Sequence, residues 1–83
     1  MLIQADRYPN ISSDPEVQGG AAVVRGTRLP IRTIAFYWRE GWDRSRLLNS
    51  YPQLTPELLD EALRFYEEHQ HEIDAELRHA GSM

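Results

Sequence analysis

Six arginines fall within residues 17–56: Arg25, Arg28, Arg32, Arg39, Arg44 and Arg46. Each presents a planar fork of donors that suits a phosphate or a carboxylate. Only Glu40 and Asp43 oppose them in that stretch, which therefore carries a net charge of +4. Two uses fit such a cluster: a phosphate-tracking surface, or a solvated polar face around a small core. Arg25 and Arg28 flank Gly26-Thr27, and a glycine at the first central position suits a two-residue type II′ hairpin turn. That turn would set the two arginines across from each other, a repulsion that an anion between them relieves. Asp14 or Glu16, a DNA phosphate or a partner's carboxylate would each serve.

The other charges are segregated. Residues 1–16 carry −2 and residues 57–83 carry −6, giving −4 over the 83 residues. As a total, this argues against a simple nucleic-acid coat. By segment, it describes an arginine-rich body and an acidic tail. Catalytic chemistry finds little support. The chain has no cysteine, which excludes disulfides, thiolate metal sites and a cysteine nucleophile. No serine sits in a nucleophile motif, no glycine loop fits a phosphate cradle, and no paired acids face a plausible cleft. His69 and His71 fall on different faces of a helix, so no metal site is expected. We read the chain as neither an enzyme nor a cofactor binder.

The elements that must position the arginines are mainly helical with a small β-hairpin. Tyr8-Pro9-Asn10-Ile11 is at best an edge strand. Val23-Val24-Arg25 and Arg28-Leu29 form the expected hairpin, which Pro30 ends. A first helix spans about 32–40, with Ile31, Ile34, Ala35 and Trp38 on its core face and Gly41 as its C′ residue. A second spans about 44–50, with Asp43 as N-cap and Leu47 and Leu48 inward. A third opens with Thr55 as N-cap and Pro56 at the first helical position, and it extends to about His79. The tight turn Tyr51-Pro52-Gln53-Leu54 gives the last two a helix-turn-helix spacing. Gly81-Ser82-Met83 reads as a disordered end.

The third helix offers Gln53, Glu57, Asp60 and Glu61 with Arg64 as its one cation, a poor surface for reading bases. Leu59, Leu63, Tyr66, Gln70, Ile73, Leu77 and Ala80 follow one 4–3 seam over three heptads. Such a helix would project from so small a body, leaving Ile73 and Leu77 exposed unless covered. A second copy, a partner's groove or the chain's own core would cover them. Trp38 is expected in the core, and Trp42, after Gly41, as an interface anchor. The expected division is a domain over 1–68 and an extension of the C-terminal helix over 69–83.

Two segments carry a resemblance. Ser13-Asp14-Pro15-Glu16-Val17-Gln18-Gly19-Gly20-Ala21-Ala22-Val23-Val24-Arg25-Gly26-Thr27-Arg28-Leu29-Pro30-Ile31 is one, and Leu47-Leu48-Asn49-Ser50-Tyr51-Pro52-Gln53-Leu54-Thr55 is the other. Together they resemble domain-of-unknown-function family 433, over about residues 8–67. One departure is Ala21-Ala22, where that family often has Lys-Pro. The family includes antitoxin-like proteins of the VapB type. The resemblance implies a three-helix homeodomain-like or winged helix-turn-helix fold, commonly dimeric. It also implies the antitoxin of a type II toxin–antitoxin pair, whose partner is a PIN-like ribonuclease. The DNA contacts expected on this reading are Arg25, Arg28, Arg32, Arg39, Arg44 and Arg46. The expected toxin or dimer interface is Trp42, Leu59, Leu63, Tyr66, Ile73 and Leu77. The alternative is a protein-interaction module with no DNA role. No apolar run approaches the roughly 20 residues of a membrane helix, and no leader precedes the domain, so a cytoplasmic location is expected.

Overall fold

The computed structural model describes residues 7–81, with side chains through Arg78. Ser82 and Met83, expected as a disordered end, lie outside the described residues. Four helices and one two-stranded antiparallel sheet make up the fold among those residues. The order is β1 (Ile11–Ser12), a 3₁₀ turn (Gln18–Gly20), β2 (Val23–Val24), α1 (Ile31–Arg39), α2 (Arg44–Ser50), α3 (Pro56–Glu68) and α4 (Gln70–Gly81).

The helix starts follow from local chemistry. The Asp43 carboxylate accepts from the Arg46 N–H at 2.8 Å, satisfying one of the orphan donors of α2. The Thr55 hydroxyl does the same for Leu58 at 3.2 Å, and Pro56 stands at the first position of α3, where its missing N–H costs nothing. Gly41 adopts φ +94° just past α1, a conformation that a residue with a Cβ resists.

The sheet differs from expectation. Val23–Val24 pairs with Ile11–Ser12, in the register Ile11↔Val24 and Ser12↔Val23. Residues 24–29 close a hairpin wider than the expected two-residue turn, its arms joined by an antiparallel bridge between Val23 and Pro30. The Thr27 N–H donates to the Val24 carbonyl at 3.0 Å, and the Val24 N–H donates to the Leu29 carbonyl at 3.0 Å. The Thr27 hydroxyl stands in for a ladder partner, donating to Val24 O and accepting from the Leu29 N–H. Gly26, at φ +81°, is the third residue of the Val24–Thr27 turn, where a type II turn needs positive φ; a type II′ turn needs it at the second. Arg25 and Arg28 therefore sit within one loop and do not oppose each other across a ladder.

The C-terminal seam also folds differently. The single long helix is two helices, interrupted at His69 (φ −125°, ψ 30°), so there are four helices and not three. An unbroken helix over 56–81 would run about 39 Å at 1.5 Å per residue, longer than the 31 Å that the fold extends along its longest principal axis. The break lets α4 return across α1 and α3 and bring Ile73 into the core at 0% exposure. The continuous core also takes in Tyr8, Ile11, Ile31, Ile34, Leu47, Leu59, Ala62, Phe65 and Tyr66.

Candidate functional site

The break at His69 decides what the charged side chains face. Because α4 lies against α1, the acids of the tail meet the arginines of the body. Arg39 reaches Asp74 at 3.1 Å, and Arg32 reaches Glu76 at 3.5 Å. Arg44 pairs with Asp60 of α3 at 3.0 Å, and Arg7 pairs with Glu68. Arg32 also donates to the Gln18 side-chain oxygen at 3.1 Å. Three of the six arginines expected to contact DNA are thus engaged by carboxylates of the same chain.

The other three stand differently. Arg25 is exposed, and its Nε donates to the Pro9 carbonyl at 2.9 Å. Arg28 is exposed, and its carbonyl accepts from the Gln18 amide at 3.2 Å. Neither guanidinium meets a carboxylate among the described residues, so neither Asp14 nor Glu16 supplies the expected anion. Asp14 instead accepts from the Glu16 backbone N–H at 2.9 Å. The Arg46 guanidinium lies over the Trp42 ring, 3.8 Å from its centroid, at a distance suited to cation–π attraction. Tyr37 flanks the same indole at 4.3 Å. Trp42 is half-buried within this stack and packs against the core.

The interface expected on the heptad seam is largely interior. Leu59 and Ile73 are fully buried and Tyr66 nearly so, all within the chain's own core. They are not offered to a partner; the seam is the ridge by which α3 and α4 close on the rest of the fold. Leu63 is half-buried against the core, and Leu77 is half-buried at the edge of a groove. Trp38, expected in the core, is 39% exposed, because the buried face of α1 is carried by Ile31, Ile34 and Ala35.

Two features escaped the sequence reading. Glu61, counted among the solvent-facing acids of the third helix, is 8% exposed. Its carboxylate accepts from the Asn10 backbone N–H at 2.7 Å and from the Asn10 side-chain amide at 3.1 Å. This pins the N-terminal segment to α3. Its place between Leu59 and Ala62 on an otherwise apolar stripe is the one sequence signal for it. The second is Phe36, which is 45% exposed. It lines a groove of about 320 Å³ between α1 and α4 with Arg39, Glu40, Leu77 and Arg78. No groups of His, Asp and Glu suited to hold a metal ion occur among the described residues. No helix there is long and apolar enough to cross a membrane.

A solved structure shares this arrangement. The crystal structure of a DUF433 member protein from Anabaena variabilis superposes with a TM-score of 0.79 at 39% identity, over 83% of this chain and 68% of that one. An uncharacterized protein of Sinorhizobium fredii, y4eO, is 38% identical over 47 residues. Those residues are 57% of this chain and 21% of that protein, so the chain spans about a fifth of that relative's length. The sequence pattern of the family described as protein of unknown function (DUF433) matches residues 11–66, taking in β1, β2, α1, α2 and most of α3. The chain belongs to the DUF433 family.

Proposed function

We propose that this chain is the antitoxin of a type II toxin–antitoxin pair, acting in the cytoplasm. On this reading it binds a PIN-like ribonuclease and contacts operator DNA as a dimer. The observation that carries the DNA half is the Val24–Leu29 loop. It holds Arg25 and Arg28 in solvent with no carboxylate partner among the described residues, while Arg32, Arg39 and Arg44 are neutralised by the chain's own acids. Exposed forked cations that meet no carboxylate among the described residues suit phosphate oxygens. Arg46, on the first turn of α2, adds a third exposed cation. The helix pair α2–α3 and its Tyr51–Leu54 turn serve as a helix-turn-helix-like scaffold, with the loop arginines, not α3, meeting the duplex. The exposed surface of α3 bears Glu57, Asp60 and Glu67, which phosphates repel; its Arg64 donates to the Arg7 carbonyl at 2.7 Å.

That acidic surface favours the second reading, a protein-interaction module with no DNA role. The two readings separate in a gel shift on the protein's own promoter, run with the free chain and with its complex. The antitoxin reading expects a shift that weakens as salt rises. No shift at low salt in either form leaves the interaction module standing. Coexpression tests the toxin half: the chain should restore growth to cells expressing a PIN-like nuclease encoded beside it. Growth arrest that continues in its presence rejects that half.

A further inference from the structure

We propose that the groove between α1 and α4 is a self-association surface whose occupant is the same face of a second copy. Phe36 both protrudes, at 45% exposure, and forms one wall of the groove it would fill. A two-fold interface sets one patch against itself, so it needs knob and recess side by side on one surface. Phe36 is the knob. The recess, about 320 Å³ beside Leu77, is larger than a phenyl ring.

The charges in the groove fit the same symmetry. Glu40 and Arg78 line it together, and neither has an ion-pair partner among the described residues. A two-fold partner brings Glu40 of one copy to Arg78 of the partner subunit, and the reciprocal pair forms by symmetry. Arg39, the groove's other cation, is already held by Asp74 at 3.1 Å. A nucleic acid fits this face less well, because Glu40 would meet phosphate. The Arg25–Arg28 loop takes no part, so a dimer built here leaves both arginine loops open. The proposal supplies the dimer invoked above but does not depend on the antitoxin reading.

The test is the mass of the full chain by light scattering over a concentration series, with no DNA or nuclease present. The wild type should approach twice 9.7 kDa as concentration rises. Phe36→Glu should weaken dimerisation about 100-fold, as loss of an interface anchor does. Circular dichroism checks that this exposed position leaves helicity intact. Glu40→Arg and Arg78→Glu should each weaken self-association at least about 10-fold through like-charge contact. Mixed in equal amounts, those two variants should form a mixed dimer, since each then presents the complement of the other. Restoration on mixing separates a contact between copies from one within a copy. A wild type that stays monomeric at every concentration overturns the proposal. So does a dimer that survives Phe36→Glu, or a mixture that remains monomeric. If Phe36→Glu abolishes nuclease capture but leaves the dimer intact, the groove belongs to the toxin. A dimer that binds no DNA leaves this proposal standing and counts against the DNA half of the antitoxin reading alone.

Discussion

The Glu61–Asn10 contact, made by a buried carboxylate, is one of the polar links between the N-terminal segment and α3. Asn10 is itself exposed, so its two donors turn to water when the carboxylate is removed, and the loss is that of part-buried hydrogen bonds to a charged group, about 1 kcal/mol each. Glu61→Ala should therefore lower unfolding stability by about 1–2 kcal/mol in urea, while Glu57→Ala, on the exposed side of the same helix, changes it by under about 0.5 kcal/mol. Equal effects from the two substitutions would refute the assignment. Tyr66 gives a pH signature. Burial, and then the bond its hydroxyl donates to Asp74 at 2.9 Å, hold its pKa above the usual 10. The folded state thus keeps the proton more tightly than the unfolded one. The resulting stability is complete below pH 10 and is lost as pH climbs through the raised value. Tyr66→Phe should flatten the alkaline limb of a stability–pH curve without moving the limb below neutrality. The environment of both residues comes from long-range packing, which the sequence does not display. Glu61 matches its solvated neighbours Glu57 and Asp60 in type; beyond its place on the apolar stripe, what sets it apart is the arrival of Asn10, 51 positions away.

At the scale of elements, local chemistry was legible and the path of the chain was not. Asp43, Thr55, Pro56 and Gly41 mark helix ends by mechanisms that act within one turn, and each occupies the expected place. The break at His69 leaves no such mark. No glycine or proline interrupts the seam, and the 4–3 spacing continues from Tyr66 through Gln70 to Ile73. The helix ends there because Ile73 gains burial by turning back onto α1, a gain visible only once α1 is in place. Ile73→Ala should accordingly cost about 2–4 kcal/mol through loss of packed methyl groups and the cavity left behind. Leu77→Ala, at the groove's edge, should cost under about 1.5 kcal/mol. The reverse order in chemical denaturation would point to a projecting α4. The hairpin forms, with Val23 bridging Pro30, but its turn is wider than the spacing suggested. Gly26 does serve a turn, but one residue earlier than expected, closed by the Thr27 N–H and hydroxyl on the Val24 carbonyl, while Val24 also pairs with Ile11 of the N-terminal segment.

Over the whole molecule, the segregation of charge along the sequence becomes pairing in space. The acidic tail does not wait for a basic partner; Asp74 and Glu76 lie on the arginines of α1, and Asp60 lies on Arg44. Such pairs are partly exposed and contribute little each to stability. Their larger effect is to decide which cations remain for a ligand. Arg25 and Arg28 are the residues on which the DNA half of the account rests, and replacing both removes two phosphate contacts per copy. The most direct test is the binding of fluorescent promoter DNA to wild type and Arg25→Ala/Arg28→Ala across a range of salt. Log affinity should fall linearly with log salt for the wild type, and the double variant should lower the slope by about 2 per bound copy. A double variant that binds as tightly and with the same salt slope, or a wild type that fails to bind at the lowest salt with or without nuclease, would contradict the DNA half of the account.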